Sequence, residues 1–178
     1  MPPSVLRTAR LELVPVTVAM VEAVMRGRRE DAEALVKARM PARWPNTELI
    51  ERAFTASLDA IRADPAVRLW GDRVMVARSV EGDARVVGSV VFHGEPLEDG
   101  IAEIAYGVEE SSQGQGFATE AVEASVAWAL GQERVHAVQA VTFAWHTPSL
   151  RVLAKVGMVH VGAREHETMG ELLVFERR

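Results

Sequence analysis

The run Ile101-Ala102-Glu103-Ile104-Ala105-Tyr106-Gly107-Val108 alternates in polarity and leads, after a short gap, into Gln113-Gly114-Gln115-Gly116-Phe117-Ala118-Thr119-Glu120. A period of two is the pattern of a strand. The spacing after Phe117 predicts a helix to about Leu130, so a strand passes through a glycine turn into a helix. The first turn of a helix leaves backbone N–H groups without intrahelical acceptors, and the aligned peptide dipoles add partial positive charge there. Gly114 and Gly116 remove side chains that would hold a phosphate off those amides, so the turn can bind an anion without a lysine. Two common nucleotide loops are excluded. Thr119 occupies the place of the third glycine of a dinucleotide fingerprint, and no Gly-Lys-Ser/Thr sequence supplies a nucleoside-triphosphate loop.

Upstream, the alternation recurs from Leu69 to Arg78 and from Asp83 to His93, with Glu81-Gly82-Asp83 and Glu95-Pro96 to Gly100 as turns. This predicts an antiparallel meander that ends in the Ile101 strand. Before it, a short strand is expected around Leu11 and Leu13, ended near Pro15. Helices then begin at Thr17, run over Asp31 to Arg39, and restart at Asn46 or Thr47 through Ile61, with Asp64-Pro65 as the stop. After the Phe117 helix come a strand around Val135 to Thr142, a helix from about Pro148 to Val156, and two strands, Val159 to Arg164 and Leu172 to Glu176.

No repeat or linker divides the 178 residues, so one domain over 1–178 is expected, large enough to bury a core without disulfides. Cysteine is absent, which removes thiol nucleophiles and thiolate zinc sites, and the histidines show no HxH or HExxH spacing, so no metal is expected. A net charge of −5 argues against a nucleic-acid partner. Without an apolar stretch long enough for a signal peptide or a bilayer span, a soluble, cytoplasmic protein with no membrane partner is expected.

The Gln-x-x-Gly-x-Ala pattern of Gln113, Gly116 and Ala118, preceded by Ala102-Glu103-Ile104-Ala105-Tyr106 and followed by Ser149-Leu150-Arg151-Val152-Leu153-Ala154-Lys155-Val156-Gly157-Met158, resembles the GNAT superfamily of N-acetyltransferases. The resemblance runs from about Val86 to Val161. Thr8-Ala9-Arg10-Leu11-Glu12-Leu13 is similar to the opening strand of the subgroup that acetylates N-terminal amines of ribosomal proteins. The resemblance implies an α/β (α+β) three-layer sandwich, a central twisted, mixed but mostly antiparallel sheet with helices on both faces. It also implies direct transfer of the acetyl group of acetyl-CoA to a primary amine, a protein N-terminal α-amine or a small-molecule amine, through a ternary complex. The alternative is an acyl-CoA binding or sensing module of the same fold with little or no turnover. A homodimer is compatible with either.

By the same resemblance, Gln113, Gly114, Gln115, Gly116, Phe117 and Ala118 cradle the pyrophosphate of acetyl-CoA. Ile104, Ala105 and Tyr106 lie where the sheet splays and a strand N–H meets the thioester. Gly107 fits either a bulge or a close approach by ligand. Glu103 shares a strand face with Ala105 and Gly107, opposite Ile104, Tyr106 and Val108, and stands where relatives carry a candidate base; the alternative is a solvent-facing or hydrogen-bonded strand glutamate. Ser149 matches a serine proposed to hydrogen-bond the leaving thiolate and, with it, the cofactor. Thr147 is expected to cap its helix with Pro148 at the first helical position.

Many relatives have an asparagine where His146 stands and a tyrosine acid where Leu153 stands. His146 is either an acid for the thiolate or a packing residue at the helix entry. Trp44, in Arg43-Trp44-Pro45-Asn46, is assigned to the acceptor pocket, and Trp70, Trp128 and Trp145 to core or rim packing. Arg164-Glu165-His166-Glu167 is either the other wall of that pocket or a solvated hairpin tip.

Overall fold

A computed structural model describes residues 4–43, 58–78, 82–96, 98–166, 168 and 170–178; Trp44, Glu167 and the expected helix start at Asn46 or Thr47 lie outside them. The chain opens with β1 (Leu6–Arg7) and β2 (Leu11–Pro15), followed by α1 (Val18–Met25), α2 (Arg29–Val36), α3 (Leu58–Ala63) and α4 (Pro65–Arg68). Next come β3 (Arg73–Arg78), β4 (Ala84–Phe92) and β5 (Ile101–Val108), then α5 (Phe117–Leu130), β6 (Ala137–Phe143), α6 (Thr147–Lys155), β7 (Val159–His166) and β8 (Gly170–Arg177).

Local chemistry sets these bounds. The Thr17 side chain accepts the Met20 N–H and starts α1, and Lys37, at φ 55°, takes the left-handed conformation that ends α2. Asp64-Pro65, read above as a stop, is also a restart: the Asp64 carboxylate accepts the Val67 N–H and Pro65 opens α4. The strand expected from Leu69 begins only at Arg73. Leu69 and Trp70 belong to a buried turn, in which Trp70 meets Phe92 edge-on at 5.0 Å and Trp128 at 4.9 Å. Buried turns and strands both show apolar residues at short spacing.

The sheet runs β1-β2-β3-β4-β5-β6-β8-β7, antiparallel throughout except for β5 against β6. On one face, α5 and α6 bury Phe117, Val122, Val126 and Leu153 against Leu13, Met75, Val90 and Ile104. On the other, α1, α2 and α3 bury Val21, Val36 and Ile61 against Val74, Val76 and Val86. Val87 and Val90, three residues apart, face the same core because the β3–β4 register shifts beside them. That irregularity is in β4; the β4–β5 register continues unbroken past Gly107. Gly107 instead takes part in a close approach of backbone to backbone, since a Cβ on Gly88, which pairs with the next residue Val108, would fall on the Gly107 carbonyl oxygen.

Candidate functional site

The strands β5 and β6 part company early. β5 pairs with β4 along Ile104–Val108, yet its parallel ladder with β6 covers only Ile101, Ala102 and Glu103, opposite Ala137, Val138 and Gln139. β6 continues to Phe143 on the far side, held by β8. From Ile104 onward one edge of β5 therefore has no ladder partner, and its backbone groups border a wedge between the two strands.

The loop at the end of this wedge is built to keep its amides free. Glu109 accepts the Ser111 N–H at 3.0 Å to fix a single 3₁₀ turn, and the Gln113 side chain donates to the Val108 carbonyl at 3.0 Å. Gly114 (φ 73°) and Gly116 (φ 84°) are left-handed, a conformation in which L side chains are strained. Gly116 is the N-cap of α5 and brings no side-chain acceptor, so the first helical bond is from Glu120 N–H to the Gly116 carbonyl. Among the described residues, the backbone N–H groups of Gly114 through Thr119 find no acceptor. Six amides and a helix N-terminus are the fixed positive partial charges of an anion site.

A cation stands beside them. Arg10, from the turn between β1 and β2, donates through Nε to Glu120 at 2.8 Å and through Nη1 to the Gln115 carbonyl at 2.8 Å, with its guanidinium 4.8 Å from the centre of the Phe117 ring. Burial would raise the Glu120 carboxyl, but hydrogen bonds from the Thr8 hydroxyl and from the Arg10 backbone and side chain outweigh it and hold the group ionised. The N-terminal hairpin is thereby fastened to the glycine loop.

Across the wedge, His146 rather than Thr147 is the N-cap of α6, because its carbonyl accepts the Ser149 and Leu150 N–H groups. The His146 ring points elsewhere, with Nδ1 3.4 Å from the Thr142 hydroxyl and the ring tilted against Trp145. Ser149, in the first turn, places its Oγ 2.9 Å from the Tyr106 hydroxyl of β5, where either atom can donate. Burial pushes the Tyr106 phenol up, so it stays protonated through the neutral range. A phenol therefore reaches α6 from the strand side, while Leu153, at the place of the relatives' tyrosine, is fully buried in the core.

On the opposite face of the sheet, Glu103 is bound on both oxygens: Oε1 to His93 Nδ1 at 3.1 Å and Oε2 to Arg164 Nη1 at 3.1 Å. Arg164 also donates to the Gln139 side chain. The hydrogen bond from His93, with a smaller contribution from Arg164, outweighs burial and holds the Glu103 carboxyl below its ordinary range; the same bond raises His93. Two rows further along the same face, opposite Gly107, Ser89, 4% exposed, has a hydroxyl with no partner among the described residues. Trp145, assigned to packing, is 70% exposed and stacks on Phe143 at 5.2 Å.

The structure thus groups Glu103 with His93 and Arg164 on one face of the sheet and Tyr106 with Ser149 on the other, with the glycine loop beyond the open edge of β5; His146 contributes its carbonyl to the helix start. His93, the Tyr106 hydroxyl and Arg10 were not identified as side-chain participants. Only His93 had a usable signal, a position at the end of β4 that a hairpin register would place opposite Glu103.

The family model of the acetyltransferase (GNAT) domain matches residues 10–159. The uncharacterized N-acetyltransferase YjdG of Bacillus subtilis (strain 168) is 24% identical over 156 residues, covering 86% of this chain and 89% of that protein. A putative GNAT-family acetyltransferase from Bordetella pertussis shares the fold with a TM-score of 0.65 at 23% identity, covering 99% of this chain and 100% of the other. RimL, a ribosomal L7/L12 α-N-protein acetyltransferase solved in complex with coenzyme A, shares it with a TM-score of 0.60 at 14% identity, covering 97% and 96%.

Proposed function

Because this chain belongs to the acetyltransferase (GNAT) domain family, we propose that it transfers the acetyl group of acetyl-CoA directly to a primary amine, in a ternary complex and without an acetylated enzyme intermediate. The observation that carries this reading is the set of unaccepted amides from Gly114 to Thr119, set at the mouth of the β5–β6 wedge. A diphosphate satisfies such amides, and Gln113 to Ala118 would hold it while Arg10 adds a positive charge. The thioester arm would then lie in the wedge along Ile104, Ala105 and Tyr106, whose backbone edge can donate to the carbonyl oxygen as negative charge develops there.

At the far end, Ser149 and Tyr106 are hydroxyl donors for the sulfur that leaves as thiolate. A thiol of pKa about 8.5 is a stronger acid than either hydroxyl, so these groups stabilise the thiolate by hydrogen bonding, and solvent returns the proton. Glu103 and its partner His93 form the basic end of the site. The acceptor approaches from their face. RimL acts on an α-amino group of a ribosomal protein, and an α-amine, with a pKa near 8, gives up its proton more readily than a lysine-like amine near 10. An α-amine on a peptide is accordingly the first acceptor to test.

The deciding experiment is a mass-spectrometric screen with acetyl-CoA as donor against free peptide N-termini and small amines together, run beside calorimetry of acetyl-CoA binding. Acetylated product with thiol release is expected. Binding without release over every amine would favour the acyl-CoA sensing module, and no binding would reject both.

A further inference from the structure

The face of the sheet that carries Glu103 presents three cross-strand rows: Ser89 beside Gly107, Val91 beside Ala105, and His93 beside Glu103. The last row is fixed by the His93 N–H, which donates to the Glu103 carbonyl at 3.0 Å. Both carboxylate oxygens of Glu103 are engaged, one by His93 Nδ1 and one by Arg164. With Nδ1–H pointing at the carboxylate, the neutral imidazole has its lone pair on Nε2. The His93 side chain is half exposed, and Nε2 has no partner among the described residues.

We propose that His93, not Glu103, takes the proton from the attacking amine, with Glu103 and Arg164 acting as positioning residues that fix the imidazole tautomer and orientation. This rests on the acetyltransferase reading above and deepens it. Adjacent rows on one strand face lie about 7 Å apart, so an amine seated over Val91 and Ala105 is within reach of His93 Nε2 directly or through one water.

The electrostatics favour the same division of labour. Glu103, bonded to His93 and paired with Arg164, is held below the ordinary carboxylate range and is a weak base. His93 is raised, first by its bond to Glu103, and is the stronger base of the two. The titratable groups bearing on it come from three other elements: Glu103 on β5 raises it, Arg164 on β7 lowers it, and Asp72 in the turn before β3 adds to the rise only where it is ionised.

The step balances simply. The neutral amine nitrogen forms a C–N bond to the thioester carbonyl carbon, and its proton passes to His93 Nε2. The C–S bond breaks with its electron pair on sulfur. The thiolate takes a proton from solvent and the imidazolium returns one to solvent, so that amine and acetyl-CoA become acetylated amine and free thiol.

The test uses the acceptor returned by the screen and compares kcat against pH for wild type, His93→Gln and Glu103→Gln. His93→Gln should lower kcat about 100-fold or more and abolish the fall in kcat at low pH, while KM for acetyl-CoA stays within about threefold. Glu103→Gln should lose about tenfold or less at its optimum and move that fall to lower pH, because the group that raises the imidazole is gone. NMR titration of the His93 ring on the free proteins should show the same downward shift in Glu103→Gln, a readout that needs no turnover and that also reports whether each variant is folded.

A His93→Gln enzyme with wild-type kcat and pH profile, or a His93 ring that titrates identically with and without the Glu103 carboxylate, overturns the proposal. So does a Glu103→Gln enzyme as inactive as His93→Gln while folded. Failure of wild type to turn over any amine rejects the acetyltransferase reading itself, and the proposal with it.

Discussion

Asp72 should answer to pH in the sense opposite to most carboxylates. It is 3% exposed, accepts the Phe92 N–H at 2.7 Å through Oδ1, and its carboxyl is pushed up by burial from 3.8 to about 8. Neighbouring Arg73, fully buried against the Trp128 ring at 4.1 Å, offsets only part of this and is itself pulled down to about 10. Between those two values for Asp72 the folded chain keeps a proton that the unfolded chain has released, so stability falls as pH rises through this window. At 1.36 kcal/mol per pH unit, the loss accumulated by pH 7 is about 4 kcal/mol, with no discount for solvent at so buried a site.

Asp72→Asn keeps the acceptor for Phe92 and removes the titration. Urea unfolding of both proteins at pH 5, 6, 7 and 8 should show the difference in stability growing in favour of the variant by roughly 1 kcal/mol per unit up to pH 7. The intercept also contains the cost of seating a buried amide, so the slope carries the information. Glu12, Glu103 and Glu120, whose carboxyls are lowered, contribute stability lost on acidification, but they are common to both proteins and cancel in the difference. Parallel curves, or a wild type that gains on the variant as pH rises, would mean that Asp72 is ionised and paired in the fold, and would refute this account.

Two further substitutions probe the cleft. Arg10→Ala removes the bonds to Gln115 and Glu120 and a positive charge beside the glycine loop; calorimetry should read acetyl-CoA binding about tenfold weaker, equivalent to 1.4 kcal/mol, and unchanged affinity would separate Arg10 from the cradle. Tyr106→Phe keeps the ring packing and deletes the hydroxyl 2.9 Å from Ser149 Oγ, so kcat should fall about tenfold with a stability change near 1 kcal/mol, and the loss should not add to that of Ser149→Ala if the two hydroxyls act as one unit.

What could be read from the chain divides along a physical line. The bounds of β5 and α5 were legible because two strong local periods meet at a turn that only glycine can make, at Gly114 and Gly116. The unaccepted amides of Gly114 to Thr119 follow from the same stretch, since they belong to the main chain and need no distant partner. The Leu69 segment was misread because the Trp70, Phe92 and Trp128 cluster forms a buried turn whose apolar spacing imitates a strand.

Side-chain constellations obey other rules. The His93–Glu103 pair depends on the β4–β5 register: a hairpin reading permits it, but the long turn between the strands leaves the register to be fixed by the fold. Arg164 meets Glu103 from β7, which sequence order places far along the chain and sheet order places beyond β6 and β8, so no local pattern announces the contact. A local motif can therefore disclose where a coenzyme's phosphates would rest, whereas the groups that would move a proton are assembled by sheet order. This is why Glu103, named from its strand face alone, looks like an isolated base in the sequence and like the middle member of a His–Glu–Arg line in the fold.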